Sequence, residues 1–158
     1  MKLKRRIQNQ AFSLLELVIV VAIIAILAAI AIPRMSRGSK GAGDSALSGD
    51  LAVLRNAIDI FAAEHSGTFP TAANITNQLT QYTNEAGIAQ AAKDPNHIYG
   101  PYVRKIPPLP VGNQKGSTGI SDMAADGVGW IYAETAGTIK ANTTAAEKDE
   151  TGKLYSDY

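Results

Sequence analysis

The stretch Ala11-Phe12-Ser13-Leu14-Leu15-Glu16-Leu17-Val18-Ile19-Val20-Val21-Ala22-Ile23-Ile24-Ala25-Ile26-Leu27-Ala28-Ala29-Ile30-Ala31-Ile32-Pro33 decides how the rest of the chain is read. From Leu17 to Ile32 every residue is Leu, Val, Ile or Ala, and only Ser13 and Glu16 interrupt the block before that. At about 1.5 Å per residue, a helix over 12–32 is roughly 31 Å long, close to the hydrocarbon thickness of a bilayer. Lys2, Lys4, Arg5 and Arg6 precede it and no basic residue lies within it. By the positive-inside rule the basic end stays cytoplasmic and the remainder is exported.

Three readings fit a basic start followed by an apolar block. Ala29-Ile30-Ala31 satisfies the small-x-small pattern of a secretory signal peptide. An uncut single-pass anchor for an exported binding domain is the second. Glu16 separates both from the third, because an acid in a membrane segment costs about 2.5 to 3.5 kcal/mol at mid-helix, less near an end, and calls for a specific partner. No Lys or Arg occurs in the four residues that follow it. An amine freed at Phe12 on another copy of the chain would serve.

Ala11-Phe12-Ser13-Leu14-Leu15-Glu16-Leu17 after a short basic leader resembles the processing site of type IV prepilins and pseudopilins. The resemblance implies that a prepilin peptidase cuts between Ala11 and Phe12 and N-methylates Phe12. It also implies that Glu16 pairs with the N-terminus of a neighbouring subunit during assembly. Pro33 stands where the family tends to place a helix-kinking proline. Ala11 departs from the family's usual Gly, which implies slower cleavage rather than none.

The whole chain has 158 residues, 46% of them hydrophobic, and a formal net charge of +1. Loss of the four leader cations would take that charge to −3 (1 minus 4). Neither value, nor the scatter of the cations, carries a nucleic-acid footprint. The absence of cysteine excludes disulfides, thiolate metal sites and a cysteine nucleophile.

Beyond the block, Ser36-Arg37-Gly38-Ser39-Lys40-Gly41-Ala42-Gly43 carries three glycines, each costing about 1 kcal/mol in a helix interior relative to Ala. Residues 34–43 are therefore expected to be frayed or flexible. Leu47, Leu51, Leu54, Ile58 and Phe61 then recur at spacings of 4, 3, 4 and 3, the core stripe of an amphipathic helix. Ser66-Gly67 and Phe69-Pro70 end it. Ile75, Leu79 and Tyr82 predict a short second helix. The prolines of Tyr99 to Pro107 forbid a central strand there. Val128, Trp130 and Tyr132 alternate, turn at Glu134 to Gly137 and resume at Thr138 to Asn142 as a β-hairpin, with Trp130 in the core. The polar residues 143–158 read as a surface tail.

Asp50 to Ile58, Gly67 to Pro70 and Tyr99 to Pro107 resemble the corresponding stretches of the major pseudopilins of type II secretion. The expected architecture is α+β, a type IV pilin-like fold in which a long N-terminal helix packs on a small antiparallel sheet. Its parts are a leader (1–11), an assembly helix (12–33), the glycine stretch (34–43), a globular domain (44–142) and the tail. The implied partners are further copies in a helical filament, the prepilin peptidase, other pilins and an inner-membrane assembly platform. The implied location is the bacterial inner membrane before assembly and a periplasmic or extracellular filament after it.

An enzyme is not expected. No nucleophile elbow, phosphate loop or paired-carboxylate setting occurs, and His65 and His97 lack metal-ligand spacing and read as solvated. Type II secretion pseudopilins typically hold calcium, for which the candidates are Asp122 and Asp126 in the loop before the hairpin. No other cofactor is expected.

Overall fold

The computed structural model describes residues 14–158, at 30–40 as backbone alone. The chain forms two compact units, Met1–Gly38 and Ser39–Tyr158, with their boundary inside the glycine-rich stretch. The described part of the first unit is helical throughout. It belongs to α1 (Leu14–Glu64), whose 51 residues continue into the second unit.

The backbone is thus helical at Pro33 and over 34–43, where the glycines predicted fraying. Extending an existing helix fixes one residue per hydrogen bond gained, so strong helix formers on both sides offset the glycine cost. At Gly43 the missing side chain also has a packing reason, since an added Cβ would lie 3.1 Å from Val111 Cγ1.

In the second unit the predicted stripe is the core. Leu47, Leu51, Leu54, Ile58 and Phe61 are at most 1% exposed, and burial of each such side chain contributes about 1.5 to 3 kcal/mol before entropy is counted. The helix stops where Ser66 and Gly67 enter the left-handed region (φ 57° and 84°). The Gly67 N–H then donates to the Ala62 carbonyl at 2.7 Å, satisfying a carbonyl that the helix end would leave open.

Helix α2 (Ile75–Thr80) adds Ile75 and Leu79 to the core. Tyr82, expected on this helix, instead begins β1 (Tyr82–Thr83), paired antiparallel with β2 (Ala89–Gln90). Gln81 already adopts an extended conformation, which ends the helix at Thr80, two residues early. Residues 99–111 cross the core without a regular strand and deliver Ile106, Leu109 and Val111 to it.

The main sheet has the order β3 (Gly119–Ser121), β4 (Val128–Ala133), β5 (Thr138–Ala141). Strands β4 and β5 form the predicted hairpin, through a 3-10 turn at Glu134–Ala136 and a left-handed Gly137 (φ 62°) packed against the Phe69 ring. Trp130 is fully buried and its indole N–H donates to the Pro107 carbonyl at 2.9 Å. Strand β3 corrects the expected all-antiparallel sheet, because it runs parallel to β4 with a register shift after Gly119. Three residues flanked by glycine and polar side chains give no alternation to detect.

The supposed tail is also corrected. Tyr155 is 8% exposed and joins the core from a 3-10 turn (Tyr155–Asp157), and Lys148 bridges to Leu154. The Glu147 carboxylate accepts from the backbone of Thr144 and Asn113. Polar side chains here satisfy backbone donors in place of regular structure.

Candidate assembly surface

Over 14–29, the part of the first unit with described side chains, the apolar residues are exposed on every side. Between Leu14 and Leu27, eleven Leu, Ile and Val side chains are 44% to 80% exposed. A helix that is apolar all round belongs in lipid or among other helices. Glu16 lies in its first turn, where the positive end of the helix dipole favours a carboxylate. Among the described residues no helix is long and apolar enough to cross a membrane. The apolar run with described side chains is 14–29, shorter than the block that the sequence delimits. Ala11 and Phe12, the residues of the cleavage and methylation sites, lie outside the described residues, as does the Pro33 side chain.

Residues 6–32 match the family model of the prokaryotic N-terminal methylation motif. The chain carries a prepilin-type methylation motif. That motif covers the basic residue Arg6, the expected cut before Phe12, Glu16 and the apolar block to Ile32. It supports a type IV pilin-like protein, a membrane-anchored pilin precursor and processing by a prepilin peptidase. Comparison with curated proteins and with solved structures finds no match. The helix followed by a small sheet agrees with an α+β pilin-like architecture downstream of the motif.

The calcium candidates Asp122 and Asp126 have separate hydrogen-bond partners. Asp122 shares a hydrogen bond with Ser121 at 3.3 Å, while Asp126 accepts from Gln114 Nε2 at 3.3 Å. Among the described residues no group of three or more His, Cys, Asp or Glu could hold a metal ion.

His65 departs from the solvated reading. It is 5% exposed, stacked on Phe61 at 3.9 Å, with Nδ1 2.8 Å from the Phe61 carbonyl and Nε2 3.0 Å from that of Asn84. Its position four residues after Phe61 continues the core stripe by one turn, the signal that could have placed it. His97 sits 2.9 Å from Asp94, whose carboxyl is held well below the usual range by hydrogen bonds from the His97 side chain and the Asn96 and His97 backbone.

Sequence reasoning also missed the network around Asp149 and the buried Tyr132 hydroxyl. Asp149 accepts from Tyr158 Oη at 2.5 Å and from Thr151 and Lys153, while Lys153 Nζ lies 4.0 Å over the Tyr158 ring. The Tyr158 hydrogen bond is the main cause that lowers the Asp149 pKa to about 2, and the same bond raises that of Tyr158 to about 12. Burial pushes the Tyr132 hydroxyl up to about 12, with its Oη donating to the Pro70 carbonyl at 2.9 Å.

Proposed function

We propose that the chain is a structural subunit of a type IV pilin-like filament, a type II secretion pseudopilin or a related pilus subunit. The outward-facing apolar residues of 14–27, attached to the methylation motif, carry this reading. Such a surface is covered in lipid before assembly and by neighbouring helices after it. The precursor waits as a single-pass protein in the bacterial inner membrane with its C-terminal part outside the cytoplasm. The prepilin peptidase removes 1–11 and methylates Phe12, and the assembly platform extracts the subunit into the filament beside other copies and other pilins. Glu16 pairs with the Phe12 amine of a neighbour, which fixes the axial register of the packed helices. The pseudopilin branch rests on the resemblance at Asp50 to Ile58, Gly67 to Pro70 and Tyr99 to Pro107. The role is mechanical, without catalysis, nucleic acid or cofactor.

Intact mass and N-terminal sequencing of the membrane-extracted protein test the processing step. A mature chain beginning at methylated Phe12 is expected. A chain beginning at Ile32 would mean a signal peptide, and an uncut chain a plain anchor.

A further inference from the structure

A cavity of about 130 Å³ opens between the end of α1, the loop after it and the turn that joins β1 to β2. Phe61, His65 and Phe69 give it an aromatic lining, and Thr68, Gln78 and Glu85 supply the polar atoms. The Gln78 amide and the His65 ring are already engaged. Gln78 Oε1 accepts from the Thr71 N–H at 2.8 Å, its Nε2 donates to the Gly87 carbonyl at 2.9 Å, and both ring nitrogens of His65 face backbone carbonyls. Gly87 (φ 75°) closes one side, where an added Cβ would lie 3.2 Å from Gln78 Nε2 and 3.3 Å from Phe61 Cζ. These bonds make the cavity a formed feature rather than a loose gap.

Among the described residues neither the Thr68 hydroxyl nor Glu85 has such a bond, and Glu85 is the carboxylate of the lining. It is exposed at the cavity and makes no hydrogen bond or ion pair among the described residues. A ligand that filled the cavity would take water from this carboxylate, which is unfavourable unless the ligand returns a positive charge. An anion is opposed outright, and a neutral apolar group leaves the carboxylate uncompensated. A cation with an apolar stem satisfies both the ring carbons and the carboxylate. The volume sets its size, since a cavity of about 150 Å³ accommodates benzene.

The geometry points to a site for a primary alkylammonium group, held by Glu85 at its charged end and by Phe61, His65 and Phe69 along its stem. A free amine and a lysine side chain from a second copy of this chain offer that same chemistry. The proposal stands apart from filament assembly and does not depend on it.

The test is titration of the full chain in detergent micelles with n-butylammonium, followed by the amide NMR signals of His65, Gln78 and Gly87. Saturable shifts in the millimolar range are expected, with n-butanol, the uncharged analogue, producing none that saturate. Glu85→Gln, an exposed change that removes no bond, should weaken binding about two- to fivefold. Absence of saturable shifts, equal response to n-butanol, or unchanged affinity in Glu85→Gln would each overturn the site. Given saturation, carbodiimide coupling of Glu85 to a lysine of a second copy identifies the partner chain as the source, and saturation without coupling identifies a free amine.

Discussion

Asp149 shows how single side chains replace regular structure near the end of the described chain. Its carboxylate gathers donors from Thr151 and Lys153 in its own turn and from Tyr158 nine residues on, and the tyrosine bond dominates the fall of its pKa from 3.8 to about 2. A carboxylate with a depressed folded pKa contributes stability above its unfolded value of 3.8, and that contribution is lost as pH falls from about 4 to about 2. Tyr158 has the opposite sign. Its folded pKa is raised from 10.0 to about 12, so its contribution is complete below 10 and lost as pH rises through 12. Both groups face solvent, where screening keeps such contributions small. Tyr158→Phe should therefore raise the Asp149 midpoint in an NMR carboxyl titration from about 2 towards 3.8. An unmoved midpoint would assign the shift to Thr151 and Lys153 instead.

Helix α1 shows which elements were legible in the sequence and which were not. The 4, 3, 4, 3 spacing from Leu47 to Phe61 became a stripe at most 1% exposed, because a helix packed along one side turns periodicity directly into burial. The β4–β5 hairpin was legible for the matching reason, alternation along a half-buried strand. Strand β3 and residues 143–158 were not. Their order comes from pairing with an already formed strand, from Tyr155 entering the core and from carboxylate caps, none of which leaves a periodic trace. The assembly surface was legible as composition, whereas the cavity beside His65 was not, since it joins residues 61 to 87 through the return of the chain. The glycines of α1 give a test at this scale. Gly49 is helical and exposed with open space where a Cβ would stand, so Gly49→Ala should stabilise the full chain in micelles by about 0.5 to 1 kcal/mol. Gly43→Ala should gain less, because its Cβ would press on Val111 at 3.1 Å. Thermal unfolding of the pair compares them, and an equal gain would mean that the Val111 loop moves aside at no cost.

For the whole molecule, the two units separate two physical tasks. Ser39–Tyr158 has a buried apolar core of its own, while the long run of outward apolar residues lies on the described part of Met1–Gly38. Apolar residues exposed in this way call for a cover, and under the proposed filament role lipid and neighbouring subunits are the two covers. Moving from one to the other exchanges one apolar environment for another, so apolar contact alone gives little direction to the transfer. The proposed pairing of Glu16 with the Phe12 amine would supply direction, because a carboxylate and an amine that meet between subunits are worth more in a water-poor surrounding than at a surface. Glu16→Ala removes the carboxylate and leaves the apolar run intact. The expected outcome is a precursor that still fractionates with the membrane and is still cut before Phe12, but enters filaments at least about tenfold less, the equivalent of about 1.4 kcal/mol. Glu16→Gln keeps the side-chain size and a weaker acceptor, and should fall between the two. Filaments of normal yield from Glu16→Ala would show that helix packing alone directs assembly, while loss of membrane fractionation would place Glu16 in insertion instead.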